Sequence, residues 1–152
     1  MRIAVDDLAG AEIAAFLDEH VREMRSVSPP ESKHALDLDG LRRPEVTFWT
    51  VRDDDGGIAG CGAIQRLDQW HAELKSMRTA AARKRSGVAS LLLGHILGEA
   101  RRMGYRRVSL ETGSDEFFRP ARRLYETFGF VYCEPFAGYV PDPLSVFMTR
   151  TV

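Results

Sequence analysis

Residues 83–90, RKRSGVAS, place three basic residues just before a glycine that opens an apolar pattern of helical period. The first N–H groups of a helix have no partner within the helix, and the helix dipole adds positive charge there. Gly87 has no Cβ, so a ligand can come close to the main chain. The stretch therefore predicts a phosphate-like anion site built mainly from main-chain N–H groups. A plain basic loop before a helix is the alternative that this stretch alone leaves open.

The stretch matches neither of two common phosphate-binding motifs. The Walker pattern G-x-x-x-x-G-K-[ST] is absent, and so is the dinucleotide fingerprint G-x-G-x-x-G. Residues 75–107 carry nine bases against one acid, in a chain whose formal net charge is −1. Such local basicity indicates one anion site rather than a nucleic-acid surface, for which the whole domain is usually basic.

The hydrophobic pattern around this stretch predicts a single α/β domain over residues 1–152. In chain order we expect a strand at 1–5, a helix capped by Asp6 or Asp7 and reaching Met24, a short helix at 35–41, strands on both sides of a turn at 55–57, a strand at 70–80, a helix from 87 to 103, a strand at 105–113, a helix at 117–128, and two final strands. The strand–helix–strand unit in the middle predicts a right-handed parallel crossover inside a mixed sheet.

The strand at 70–80 has an irregular alternation. Ala72 and Leu74 keep a period of two, but the next apolar residue is Met77, three positions on. A slip of this kind predicts a β-bulge, which bends the strand locally. The alternative is that the alternation simply ends at Lys75 or Ser76.

Two motifs resemble the GNAT (GCN5-related N-acetyltransferase) family. Residues 84–89, KRSGVA, are similar to its acyl-CoA loop, [RQ]-x-x-G-x-[GA], and residues 121–130, ARRLYETFGF, are similar to its A-x-x-L-Y-x-x-x-G-F segment. The predicted order of elements follows the family's plan over nearly the whole chain, and the family's fourth strand carries a β-bulge. The resemblance implies a mixed, mostly antiparallel sheet with a splayed parallel pair of strands, flanked by helices.

The same resemblance implies an N-acetyltransferase that moves the acetyl group of acetyl-CoA to an amino group by direct attack in a ternary complex. The Met77 N–H would polarise the acyl carbonyl, the main chain of Met77 and Thr79 would pair with the pantetheine arm, and the N–H groups of residues 85–90 would hold the pyrophosphate. The residues expected to bind the cofactor are Met77, Arg78, Thr79, Lys84, Arg85, Ser86, Gly87, Val88, Ala89 and Ser90.

Tyr125 is the candidate acid for the departing thiolate, because a phenol with a pKa of about 10 stays protonated at neutral pH. Spacing alone equally allows a core tyrosine, and the resemblance favours the acid. The candidate bases are Glu73 and Glu111, acting directly or through water, with Glu73 placed first. Each could instead be an exposed or ion-paired acid, and an acceptor that arrives as a neutral amine would need no base.

In the family the acceptor enters between the first two helices and the last strands, which here means residues 26–36 and 136–143. The residues expected to contact it are Ser28, Glu31, Ser32, His34 and Tyr139, with Arg25 nearby. We expect a small-molecule amine, and a protein amino group stays open as the alternative. Arg25 or His34 would favour an acceptor that also bears a carboxylate.

Other function classes are less well supported. A non-catalytic acyl-CoA sensor on the same fold is the main alternative, and the presence of Tyr125 argues against it. A nucleic-acid-binding domain is a further alternative, but the sequence lacks a helix-turn-helix pattern.

The two cysteines indicate a reduced compartment. They have no second pair of zinc ligands, and we expect no metal. Neither a signal peptide nor a membrane span is apparent, so we expect a cytoplasmic protein. The oligomeric state is left open, a homodimer included.

Overall fold

The computed structural model describes residues 1–27 and 38–152, which form a mixed sheet with helices on both faces. The strands are β1 (Arg2–Val5), β2 (Val46–Arg52), β3 (Ile58–Arg66), β4 (His71–Thr79), β5 (Arg107–Gly113), β6 (Val131–Cys133) and β7 (Ser145–Thr151). The helices are α1 (Ala11–Val27), α2 (Leu38–Leu41), α3 (Val88–Arg102) and α4 (Arg119–Thr127).

The strand order in the sheet is β1-β2-β3-β4-β5-β7-β6. Neighbouring strands pair antiparallel except β4 and β5, which pair parallel and are joined by α3. A parallel pair needs such a crossover because its strands run in the same direction. The predicted mixed, mostly antiparallel α/β fold with one parallel pair is therefore confirmed.

Each face of the sheet buries its own apolar cluster. Helix α3 packs Leu92 and Ile96 on one face, against sheet residues that include Leu74 and Leu110. Helix α1 packs on the other face, where Ile13 and its neighbours meet Phe48. Fully burying one such side chain stabilises the folded state by roughly 1.5–3 kcal/mol. The apolar contacts on the two faces of the sheet therefore both help to hold β4 in place.

The start of α1 differs from the prediction. Asp6 and Asp7 do not cap the helix, because their carboxylates accept main-chain N–H groups of Leu8 at 2.7 Å and Ala9 at 3.0 Å within the preceding turn. The helix begins at Ala11 instead, one turn later than expected. Short acidic side chains favour such local turns as readily as helix caps, and the sequence pattern of the two is the same.

The other predicted elements agree with the structure within a few residues. The helix expected at 117–128 is split into a 3₁₀ turn (Glu116–Phe118) and α4, and the short helix expected at 35–41 is described from Leu38 onward. Across the described ranges, no helix combines the length and apolar character needed to cross a membrane.

Candidate active site

Strand β4 carries the predicted bulge. Ala63 of β3 pairs with Lys75, but Cys61 pairs with Arg78, so β4 has one residue more than β3 between the two pairs. Ser76, inside this interval, has a left-handed φ of +57°, and its carbonyl accepts a hydrogen bond from the Cys61 thiol at 3.3 Å. An extra residue in one strand turns the following main chain out of register, as bulges do beside functional sites.

Gly62, opposite the bulge, makes room for it. A Cβ on Gly62 would lie 2.5 Å from the Met77 sulfur and 2.9 Å from the Ile96 Cδ1 of α3. Both distances are shorter than a normal carbon contact, so a glycine is needed for the Met77 side chain to pack between β3 and α3. The Met77 side chain therefore belongs to the core side, and its main chain borders the cleft.

The parallel strands separate at the bulge. The described β4–β5 pairs run from His71–Arg107 to Leu74–Leu110, while β4 continues to Thr79 and β5 to Gly113. Beyond Leu74, β5 stays paired with β7 on its other side as far as Gly113. A cleft therefore opens between the carboxyl ends of β4 and β5, the kind of position at which α/β sheets bind ligands.

The predicted anion cradle lies at one end of this cleft. Arg85 and Gly87 both have left-handed φ values, +66° and +86°, and α3 begins at Val88. Apart from its chain neighbours, no described residue has an atom within 4 Å of an added Cβ on Gly87, so the described structure leaves the space over this glycine open. Successive turns of this kind direct main-chain N–H groups toward one point and suit an anion. The Ser86 hydroxyl donates to the Arg83 carbonyl and helps to hold the loop.

Two ion pairs tie this loop to the rest of the fold. The Arg83 guanidinium contacts the Asp53 carboxylate at 3.0 Å, next to the β2–β3 turn. The Lys84 ammonium lies 3.7 Å from Glu23 of α1. Glu23 also accepts a hydrogen bond from Arg78 of β4 at 2.9 Å. Burial opposes the charge of Glu23, but the cations Arg78 and Lys84 outweigh it and hold the pKa of Glu23 below its ordinary value.

A cavity of about 660 Å³ joins the cradle to the cleft. It brings together most of the residues predicted from the sequence, namely Glu73, Met77, Arg78, Thr79, Lys84, Arg85, Gly87, Val88, Ala89, Ser90, Glu111, Tyr125 and Tyr139. Ser86 does not line it. Ser28, Glu31, Ser32 and His34 lie outside the described residues, so their predicted contacts with an acceptor stay predictions, as do the individual roles of the residues in the cavity.

Tyr125 lies in the wall of the cavity with only 6% of its surface exposed. Its ring packs edge-on against Phe130, with the centroids 5.8 Å apart. Burial raises the pKa of the Tyr125 hydroxyl well above its ordinary value, and the nearby Glu111 carboxylate raises it further. Tyr125 is thus a core residue that also lines the cavity, and its hydroxyl keeps its proton at neutral pH.

Glu73 is buried and belongs to a partly buried cluster of three polar side chains. Its Oε2 atom accepts a hydrogen bond from the Tyr139 hydroxyl at 2.5 Å and one from the Lys75 ammonium at 3.0 Å. The Lys75 ammonium also donates to the Tyr139 hydroxyl at 3.1 Å. Burial and the Glu73 charge raise the pKa of Tyr139, which keeps its hydroxyl a donor. The cluster joins β4 to the segment before β7.

Sequence reasoning did not assign a site role to Lys75 or to Glu23. Lys75 stands two residues after Glu73, so the strand alternation alone puts both on one face of β4. For Glu23 no comparable signal exists, because its contacts with Arg78 and Lys84 depend on where α1 crosses the sheet. The Arg78 guanidinium is directed toward α1, where it pairs with Glu23 and lies over the Phe16 ring at 5.2 Å.

Comparison with known proteins identifies the protein family that has this fold and this kind of cavity. The sequence profile of the acetyltransferase (GNAT) family matches residues 13–130. The chain is 55% identical over 150 residues to the "Uncharacterized N-acetyltransferase YsnE" of Bacillus subtilis (strain 168), with 99% of each chain covered. It is 35% identical over 139 residues to the "IAA acetyltransferase" of Azospirillum brasilense, covering 91% of this chain and 89% of that one. The chain belongs to the GNAT family of acetyltransferases.

Solved structures show the same fold. A structure from Klebsiella pneumoniae subsp. pneumoniae is 25% identical and superposes with a TM-score of 0.81, covering 99% of this chain and 96% of the other. An aminoglycoside 6'-N-acetyltransferase complexed with coenzyme A superposes with a TM-score of 0.71 at 13% identity, covering 99% and 97%. The implied GNAT fold is thereby confirmed over the length of the chain.

Proposed function

We propose that this chain transfers the acetyl group of acetyl-CoA to the amino group of a small molecule, by direct attack in a ternary complex. The observation that carries the proposal is the single cavity that joins the cradle at Gly87 to Tyr125 and Glu73. A long cofactor bound at the cradle could extend its reactive end between the separated strands. An acceptor could then enter from the side of α1 and Tyr139.

The cofactor side of the cavity suits acyl-CoA. The open main chain from Arg85 to Ser90 would hold the pyrophosphate, and the main chain at Met77 and Thr79 would pair with the pantetheine arm as an added strand does. Coenzyme A is the ligand of the aminoglycoside 6'-N-acetyltransferase structure that shares this fold, which supports the same cofactor here.

Tyr125 would donate the proton that the departing thiolate needs. In water the thiol that corresponds to this thiolate has a pKa of about 8.5. A hydroxyl with a raised pKa would give up its proton to such a thiolate only unfavourably. Burial raises the pKa of a thiol as well, and within this chain it raises that of Cys61 to about 12. A thiolate that forms inside the cavity would be more basic than one in water, which reduces the pKa difference from the Tyr125 hydroxyl.

The amine must lose a proton, and three carboxylates of the described residues line the cavity. Glu23 is paired with Arg78 and Lys84, which leaves Glu73 and Glu111 as the candidate bases. Glu73 already accepts hydrogen bonds from Lys75 and Tyr139 through one oxygen, Oε2. Glu111 lies at the carboxyl end of β5, across the cleft. Both are retained as candidate bases, acting directly or through a water molecule.

We favour a small-molecule acceptor. Tyr139, held by Glu73 and Lys75, lines the cavity and could contact such an acceptor. The name of the 35% identical relative, IAA acetyltransferase, supports a small molecule in the same general class of reaction. A protein amino group is the second acceptor class that an amine screen would reveal.

The experiment measures cofactor binding and turnover on the same protein. At a hundredfold excess over Kd, acetyl-CoA should stabilise the folded chain by about 2.7 kcal/mol and raise its Tm accordingly. Gly87→Val should abolish this rise because a side chain would fill the open space over the cradle. Pooled amines should then release free CoA thiol from the wild-type complex.

Gly104→Val is the matched control. Gly104 ends α3 with a φ of +95° and is equally open, but it does not line the cavity. A β-branched residue is strained in both places, so both variants should lose intrinsic stability. Only Gly104→Val should keep the acetyl-CoA shift. No shift in the wild type at millimolar acetyl-CoA would refute the proposal, and binding without thiol release from any amine would favour the acyl-CoA sensor.

A further inference from the structure

Lys75 lies inside the cavity, beside a candidate base. Its side chain is 9% exposed, and that of Glu73 is 5% exposed. The ammonium donates to Glu73 Oε2 at 3.0 Å and to the Tyr139 hydroxyl at 3.1 Å. Lys75 is the last residue before the bulge at Ser76, and it lines the same cavity as Tyr125 and the cradle.

This arrangement already contains what acetyl transfer requires of an acceptor. A primary amine is held within hydrogen-bond reach of a carboxylate that can take its proton. Lys75 also lines the same cavity as Met77, whose main chain borders the proposed thioester site. Holding the two reacting groups in one site supplies a large part of the rate of such a transfer.

We propose that Lys75 is itself an acetyl acceptor, so that the chain acetylates its own active site. This inference rests on the proposed acetyl transfer from acetyl-CoA. The Lys75 ammonium gives one proton to Glu73, and its nitrogen attacks the thioester carbonyl carbon. The C–N bond forms, the C–S bond breaks, and the thiolate takes a proton from Tyr125. The nitrogen then loses its second proton, which restores the Tyr125 hydroxyl, and Glu73 passes the first proton to solvent. The products are acetyl-Lys75 and CoA thiol, and the net reaction releases one proton.

The product changes the charge of the site. An amide nitrogen carries no charge, so the ion pair with Glu73 is lost, while the hydrogen bond from Tyr139 remains available. An amide is also stable, so each chain can react only once. Acetylation of Lys75 is therefore a modification of the enzyme rather than an intermediate of its turnover, and an acceptor amine in the cavity competes with it.

The composition of the chain makes the inference easy to test. The sequence has only three lysines, Lys33, Lys75 and Lys84, among 21 basic residues of the two types Lys and Arg. Lys84 has 56% of its side chain exposed, and Lys33 lies outside the described residues. Acetylation by acetyl-CoA free in solution favours exposed amines, so it would label Lys84 ahead of Lys75.

The test incubates the full-length chain with acetyl-CoA that carries an isotope-labelled acetyl group and maps the label by peptide mass spectrometry. We expect one label per chain, at Lys75, and suppression by excess free coenzyme A. Glu73→Gln should slow the labelling about 100-fold, because the amide keeps the shape and cannot take the proton. Lys75→Arg should remove the label, and Lys33→Arg, the same exchange elsewhere in the chain, should leave it.

Several results would overturn the inference. These are labels spread evenly over the three lysines, a label at Lys75 that excess coenzyme A does not reduce, and a rate unchanged by Glu73→Gln. The Tm shift with acetyl-CoA and thiol release with amines are recorded on the same samples. If both occur while Lys75 stays unlabelled, self-acetylation is wrong and the proposed function stands. If acetyl-CoA produces no Tm shift, both fail together.

Discussion

Tyr125 has a core position, and the proposed function also gives it the role of proton donor. Its ring is packed against Phe130, the residue lines the cavity, and the pKa of its hydroxyl is raised. Burial is the physical cause of both, because it fixes the ring and disfavours the phenolate. The choice between core and acid that the sequence left open is therefore not exclusive at this residue.

Tyr125→Phe separates the two contributions. The ring and its packing remain, so Kd for acetyl-CoA should change little, whereas kcat should fall about 10²-fold because the proton donor is lost. The measurement is steady-state kinetics with the best amine from the screen, together with Kd from the Tm shift. An unchanged kcat under conditions where chemistry limits the rate would leave Tyr125 with a packing role alone.

The bulge in β4 is the element on which the cleft depends. It ends the pairing with β5, exposes the main chain beyond Leu74 and turns the Met77 side chain into the core. The alternation of apolar residues predicted it, since the slip between Leu74 and Met77 is visible in the sequence. The start of α1 was predicted wrongly, because an acidic residue in a turn and one at a helix cap look alike until the hydrogen bonds are known.

Gly62→Ala tests the bulge as an element. The new Cβ would lie 2.5 Å from the Met77 sulfur, so either the side chain or the bulge must move. Overpacking of this kind costs roughly 1–3 kcal/mol, and we expect both a lower free energy of unfolding and a lower kcat. The measurements are urea unfolding and kinetics.

Gly98→Ala is the control for that variant. Gly98 lies within α3 and has no atom within 4 Å of an added Cβ, so alanine should stabilise the helix by roughly 0.5–1 kcal/mol. Its kcat should match that of the wild type. Equal behaviour of the two variants would mean that Gly62 has no particular relation to the bulge.

At the scale of the whole molecule, the fold and most of the residues that line the cavity could be predicted because their signals are local. A few consecutive residues are enough to predict each of three features, namely the loop at 83–90, the bulge and the segment around Tyr125. The cluster of Glu73, Lys75 and Tyr139 could not be predicted, because Tyr139 stands 64 residues after Lys75 and meets it only once β7 has joined the sheet. Tertiary contacts of this kind leave no local pattern.

The buried tyrosine also links the stability of the whole molecule to pH. In the unfolded chain a tyrosine hydroxyl ionises at a pH of about 10. In the folded chain burial raises the pKa of Tyr125, so the folded state keeps its proton to higher pH. The contribution of Tyr125 to the free energy of unfolding is therefore fully present below pH 10. It is lost as the pH rises above 10, by up to about 1.4 kcal/mol per pH unit.

We expect the free energy of unfolding of the wild type to fall more steeply above pH 10 than that of Tyr125→Phe. The phenylalanine variant has no hydroxyl to ionise in either state, so subtracting its curve removes the contributions of all other groups. Urea unfolding at pH 8, 9, 10 and 11 gives the two curves, and tyrosinate absorbance reports the ionisation directly. Below pH 10 the difference between the curves should be constant. A difference that stays constant up to pH 11 would show that the Tyr125 hydroxyl ionises equally easily in the folded and unfolded chains, and would contradict its burial as a protonated group.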